Sequence, residues 1–295
     1  VFIGPTKWDV LLLYKDFDTT PTVDPYMELH AVTGHVSDTY LKFALESENV
    51  LLPNTGPITK LHGGHCDCVV CKRAKNTRPH VPANRTRALE DSNPGECFFL
   101  DTKSISVYSY EDQKYLIAFI CKHTKYAFQY VVHLKSDIYV IMQQFHRDLN
   151  TNPDFKNLRD ADFVVINSDN ASEFISSEFD DNIFDFQWHH RTSAFYKHTD
   201  QSFIERYWRT AEEMVRACYF GAPDLDYRTW PYAWQHANFI YNRMPKRRTF
   251  ASEITDPPFT LASGKPSDLR SVWHFGELMF VHRPVEVRQN EKNFG

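Results

Sequence analysis

Three acidic residues stand out by where the pattern around them would place their side chains. Asp169 follows Phe163-Val164-Val165-Ile166, an unbroken apolar run that reads as a buried strand. Its carboxylate therefore emerges at that strand's carboxyl end, where open α/β sheets gather ligands. Glu205 lies 36 positions further on, at the start of a series in which Ile204, Trp208, Ala211, Val215 and Cys218 recur at i, i+4, i+7, i+11 and i+14. That is a helical period, and it leaves Glu205 at the edge of the buried stripe. Asp101 interrupts a third strand-like run, between Cys97-Phe98-Phe99-Leu100 and Ile105-Ser106-Val107-Tyr108. Carboxylates brought together from separate elements repel one another unless cations neutralise them, and oxygen-only donors suit hard divalent cations.

A second set of residues has softer donors. His30 and His35 form an H-x4-H pair in LHAVTGHVSDTYL, which reads as the start of a helical segment, and Cys68-x2-Cys71 begins 33 residues beyond His35. Two imidazoles on adjacent turns and a C-x2-C knuckle supply the four N/S ligands of a closed tetrahedral Zn²⁺ site, and a closed site is structural. His62, His65 and Cys66 are alternative ligands close by. A helical module of about 70 residues would draw on the order of 10 kcal/mol of its folding free energy from such a metal. Cys97, Cys121 and Cys218 stand singly in apolar contexts and read as small buried residues.

Length and composition bound what surrounds these residues. The chain has 295 residues, 42% hydrophobic and 15% aromatic, enough for one large core or two smaller ones. No apolar run reaches the length of a membrane span and VFIGPTKWDV lacks the order of a secretory signal, so the expectation is a soluble, intracellular chain with no membrane partner. Its start at Val1 and its end at KNFG read as a piece of a longer polypeptide. The net charge of −5 argues against nucleic-acid binding, but its distribution does not. Lys72, Arg73, Lys75, Arg78, Arg85 and Arg87 fall in a stretch without one acid, and Arg243, Lys246, Arg247 and Arg248 form a second cluster. Each reads either as a solvated loop or as a phosphate contact.

The elements that must position the acids follow from periodicity. KRAKNTRPHVPANRTRALEDSNPGE has no apolar period and reads as a linker. Strands are expected over Cys97–Tyr108, Lys114–Cys121 and Ala127–Leu134, then a helix over Ser136–Leu149 and the strand before Asn167. A short helix near Ser172–Phe179, a strand near Phe184–His189 and the helix bearing Glu205 complete the series. Three strands, helix, strand, helix, strand, helix is the order of an RNase H-like α/β fold, a mixed five-stranded sheet with helices, in which the first and fourth strands are neighbours. The domain reading is a helical zinc-binding module over 1–75, a basic linker over 76–94 and a catalytic core over 95–222. A helical extension over 223–270, carrying Trp230, Trp234, Ala237 and Tyr241 on one face, and the start of a small β domain over 271–295 complete it.

In order, H-x4-H, C-x2-C, Asp101, SDNASEF and Glu205 resemble the integrases of retroviruses and LTR retrotransposons, the copia-type (pseudovirus) branch above all. SDNASEF is similar to that branch's SDNGGEF, IERYWRTAEEMVRA to ERKNRTLLEMARA, WPYAWQHANFIYNRMP to WxxAxxxAxYxxNRxP, and SGKPSDLRSVWHFG to GxKPxxxxLRxFG. Ala171 and Ser172 stand where the family has two glycines, HTDQSF where it has an Asn-Gly loop, and Cys121-Lys122 where it has an Asp pair. The resemblance implies a DDE-type polynucleotidyl transferase in which Asp101, Asp169 and Glu205 hold two Mg²⁺ or Mn²⁺ ions, Asp101 bridging them. It implies that the 3′-hydroxyl ends of LTR cDNA attack target DNA by direct transesterification. It also implies one structural Zn²⁺, a homo-oligomer (dimer or tetramer), and integration in the nucleus after a stage in a cytoplasmic virus-like particle. Asn170, Arg206 and Arg209 are the candidate DNA contacts nearest the acids; Asn170 and Glu173 read equally as cap residues, and the arginines as partners of Glu212 and Glu213. Two other functions share these residues: a catalytically lapsed, integrase-derived nucleic-acid-binding protein, and an RNase H-like nuclease that uses water.

Overall fold

The structure, a computed structural model, describes residues 24–54, 58, 68–74, 92–192, 202–247 and 254–277. Most of the predicted linker and most of the C-terminal β segment lie outside the described residues, as does the HTDQSF loop up to Gln201.

The chain first makes three short helices, α1 (Pro25–Val32), α2 (Asp38–Glu46) and α3 (Val69–Ala74). Pro25 opens α1 and the Asp24 side chain accepts from the Tyr26 amide, a polar start of the kind that fixes where a helix begins. The sheet follows: β1 (Cys97–Ser104), β2 (Tyr115–Cys121) and β3 (Ala127–Val132) as an antiparallel meander, then α4 (Ile138–Thr151) and a single turn, α5 (Lys156–Arg159). Next come β4 (Val165–Ser168), α6 (Ser177–Asp185), β5 (His189–Thr192) and the long α7 (Ser202–Gly221). Two further helices, α8 (Trp230–Arg243) and α9 (Pro258–Ser263), follow among the described residues.

The five strands lie in the order β3-β2-β1-β4-β5, with β4 and β5 parallel to β1, which is the mixed sheet of an RNase H-like core. Alternate residues of β2 serve two cores. Ile117 and Phe119 pack with Phe98, Met142 and Phe145 under α4 and α6, while Leu116, Ala118 and Ile120 pack with Phe99, Ile204 and Trp208 under α7. Burial on both faces is why β2 reads as a continuous apolar run. Helix α4 buries Ile138, Met142, Phe145 and Leu149 at helical spacing.

Two expectations shift. The residue series Phe184, Phe186, Trp188 alternates like a strand, yet α6 continues to Asp185 and the strand begins only at His189. Helical spacing buries Phe179 and Ile183 and leaves Phe184 83% exposed, so the apolar contacts select helix over strand there. Cys97 and Cys218, read as buried, are only partly so; Cys121 is fully buried.

The N-terminal helices do not stand apart from the sheet. Tyr26, Leu29 and Leu41 belong to the same apolar cluster as Trp208, Met214 and Ile240. Gly34 makes the close approach: its φ is +74°, and a Cβ there would lie 3.1 Å from Ile240 Cγ2. Val50–Leu51 also pairs in parallel with Ser267–Asp268, from the KPSDL segment.

Helix α8 turns Trp230, Trp234, Ala237 and Tyr241 into that cluster, and its last turn grips the sheet. The Asn242 side chain accepts from the Ala127 amide and donates to the Ala127 carbonyl, both at 2.8 Å and both buried. Replacing Asn242 with Ala strands both groups of a buried peptide, so Asn242→Ala should cost about 2–4 kcal/mol of stability in denaturant unfolding. A change below about 0.5 kcal/mol would mean that water satisfies that peptide.

Candidate active site and metal centre

The register of β1 against β4 decides where two of the acids sit. Cys97 pairs with Val165, Phe98 with Ile166 and Phe99 with Asn167, all in parallel. Asp101 and Asp169 each stand two positions beyond the last pair, Asp101 still within β1 and Asp169 just past the end of β4. Helix α7 covers one face of the sheet, with Ile204 and Trp208 inward and Glu205 exposed in its first turn. Burial pushes the Asp101 carboxyl up to about 6, and the charges of Asp169 and Glu205, within electrostatic range, push in the same direction, although among the described residues the three acids do not close into a metal-sized group.

Hydrogen bonds hold Asp101 in place against that pressure. The Thr102 amide donates to Oδ1 at 2.8 Å and the Trp208 indole Nε1–H donates to Oδ2 at 2.9 Å, and both favour the ionised form. Trp208 is one helical turn after Glu205, and its periodicity marks it only as a core residue; the use of its N–H depends on tertiary placement. Its ring meets Trp234 edge-on at 5.7 Å. Beside it Lys103 Nζ pairs with Glu212 Oε2 at 2.9 Å, and Arg216 bridges Glu212 to the Ala74 carbonyl at the end of α3. Lys103 is a cation near the acids that the sequence did not single out.

The loop after β4 needs no glycine. Ala171 has φ −65°, and Ser172–Phe174 form one turn of 3-10 helix. The Ala171 amide donates to Asp169 Oδ1 at 3.0 Å, which orients that carboxylate. Asn170 is exposed beside it, whereas Glu173 pairs with Lys135 Nζ at 3.2 Å, a structural tie to the turn before α4. Arg206 and Arg209 are exposed, and among the described residues neither forms an ion pair, with Glu212 turned to Lys103 and Arg216 instead. Lys72 and Arg73 are exposed on α3; Lys75, Arg78, Arg85 and Arg87 lie outside the described residues. In the second basic cluster Arg243 and Lys246 turn inward, each over an aromatic ring at 3.6 Å, rather than forming a solvated loop.

The His/Cys residues form one compact cluster. Their ligand atoms all lie within 4.8 Å of one another, and among the described residues theirs is the group of three or more that closes to that distance. His30 Nε2 is 3.1 Å from Cys71 Sγ, and His35 Nδ1 is 3.4 Å from Cys68 Sγ. Nitrogen at about 2.0 Å and sulfur at about 2.3 Å from a tetrahedral zinc stand about 3.5 Å apart, so the donor set and its spacing fit Zn²⁺. The expected adjacent helical turns are replaced by a sharper device. Helix α1 ends at Val32, Gly34 and His35 both take positive φ (+74° and +57°), and the His35 amide returns to the His30 carbonyl at 2.8 Å. His62, His65 and Cys66 lie outside the described residues.

No family model matches the chain. Among solved structures, the HTLV-2 integrase catalytic core domain in complex with magnesium (trimeric form) aligns at 15% identity with a TM-score of 0.42, over 58% of this chain and 97% of that one. A chain of the simian T-cell lymphotropic virus intasome in complex with PP2A regulatory subunit B56 gamma aligns at 14% identity and TM-score 0.46, over 74% and 68%. The catalytic core domain of BIV integrase aligns at 14% identity and TM-score 0.39, over 57% and 93%. These are distant, low-identity likenesses to retroviral integrase cores.

Two outcomes follow from this geometry. Metal analysis should find one zinc per chain, lost in Cys68→Ser, and chelation should lower the melting temperature; a zinc-free chain with an unchanged melting curve would contradict the site. In metal-free protein, Trp208→Phe keeps the ring contact and removes the N–H, so Asp101 should titrate above about 6 by carboxylate ¹³C NMR. An unshifted titration would show that the indole does not hold the acid.

Proposed function

We propose that this chain is an enzyme of the polynucleotidyl-transferase class, the integrase of a copia-type (pseudovirus) LTR retrotransposon, joining cDNA 3′-hydroxyl ends to target DNA. The observation that carries the reading is Asp101: a desolvated carboxylate held by two N–H donors, with the charges of Asp169 and Glu205 bearing on it. A buried carboxylate under the charge of two further acids favours bound cations, which supports the reading. The ordered motifs around them, from H-x4-H to KPSDL, support the same assignment.

In this reading Asp101, Asp169 and Glu205 would hold the divalent ions, Mg²⁺ or Mn²⁺, which when bound would supply Lewis acidity for a displacement at phosphorus. Trp208 and the Ala171 amide keep Asp101 and Asp169 aimed, which lowers the cost of organising the site for reaction. The exposed Arg206 and Arg209, with Asn170, Lys72 and Arg73, are placed in this reading along the DNA backbone. The His/Cys cluster stiffens the module that packs on α7 and takes no part in the chemistry. The reaction belongs in the nucleus, after a stage in a cytoplasmic virus-like particle, and it requires a dimer or tetramer to hold two cDNA ends.

Strand transfer from a labelled duplex with a 3′-hydroxyl end into plasmid, in Mn²⁺ or Mg²⁺, tests this. Wild type should give joined product, and Glu205→Gln should reduce it by at least about 10²-fold, about 2.7 kcal/mol in the barrier. Nicking without joining would point to the water-using nuclease. DNA binding without any product would point to the lapsed enzyme.

A further inference from the structure

A cleft of about 400 Å³ opens between the turn after α1, the first half of α7 and the end of α8. Its walls carry three cations, Lys125, Arg206 and Lys246, against one acid, Glu213. Lys125 sits in the β2–β3 turn at φ +63°, a conformation that residues with a Cβ avoid. Non-glycine residues held there cluster at functional sites. Its ammonium lies 3.7 Å from the centre of the Phe203 ring and donates to the Lys122 carbonyl. Lys246 Nζ lies 3.6 Å from the centre of the Tyr241 ring. Among the described residues, no carboxylate forms an ion pair with Lys125, Lys246 or Arg206. Burial pulls both lysines down to about 7, and for Lys125 the charges of Arg206 and Lys122 add to the effect. Cations taken out of water without a countercharge are a free-energy cost that a bound anion removes.

We infer that this cleft binds a small phosphorylated molecule of nucleotide size. The three cations select the phosphate, since polyanions gain from several charge-assisted contacts at once. The volume sets the size, because binding clefts for small organic ligands begin at about 300 Å³ and an inorganic phosphate would leave most of this one unfilled. The cleft is lined by none of the three acids, although Arg206 on its wall is the chain neighbour of Glu205. The inference stands whether or not the chain joins DNA.

The test is calorimetric titration of the zinc-loaded full chain with ATP, adenosine and inorganic phosphate as separate probes, without added divalent metal. ATP should bind saturably at one site per chain, adenosine should not bind, and inorganic phosphate should bind more weakly than ATP. Lys246→Gln should weaken ATP at least tenfold while melting like wild type. Glu213→Gln, which removes the lone acid, should tighten it, and this second variant decides the matter if Lys246→Gln fails to fold. Absence of saturable ATP binding at millimolar concentration, or equal affinity in wild type and both variants, would overturn the inference. So would duplex DNA binding that depends on Lys246 in a chain that does not bind ATP.

Discussion

Asp101 is the constraint around which this structure is arranged. Its carboxylate is partly taken out of water on the central parallel-antiparallel junction of the sheet, where β1 meets both β2 and β4, and the charges of Asp169 and Glu205 bear on it. Burial and like charge both work against ionisation, so the two N–H donors from Thr102 and Trp208 are what keep the ionised form accessible near neutral pH. A desolvated carboxylate with like charges bearing on it is costly by itself, and a bound cation would remove that cost, which is the electrostatic ground of the proposed function.

Because Trp208 belongs to α7, whatever positions α7 also positions Asp101. Much of that support comes from outside the sheet. The turn carrying His35 packs through Gly34 on Ile240 and Met214, the end of α3 meets Arg216, and Arg216 reaches Lys103 through Glu212. The His/Cys cluster closes the N-terminal turn that makes the first of these contacts, so a metal there would stiffen the support of α7. His35 sits in a conformation that costs a non-glycine residue about 1–2 kcal/mol, a cost that metal ligation would offset.

The sheet and its order were legible because β2 is buried on both faces and because α4, α7 and α8 bury clean helical stripes, which leave a period in the sequence. The His/Cys ligands were legible from donor type and spacing alone, and the structure gathers the same four residues. What could not be read depended on contacts between distant segments. The indole N–H of Trp208 is directed by a neighbour 107 residues away, and the inward turn of Lys246 by the ring of Tyr241. The alternation of Phe184, Phe186 and Trp188 imitates a strand, but His146 and Phe145 on α4 supply aromatic partners for Phe186 and Trp188 from a helix end and a loop. At Ala171 and Ser172 the missing glycines proved inconsequential, since the backbone there takes ordinary negative φ.

The most direct measurement is anomalous diffraction from crystals grown with zinc and soaked in Mn²⁺, collected on either side of the manganese edge. The expected result is manganese density between Asp101, Asp169 and Glu205, distinct from a zinc peak among His30, His35, Cys68 and Cys71. Manganese absent from the three acids at saturating concentration, in crystals where the zinc peak is present, would contradict the central claim that these carboxylates form one cation site.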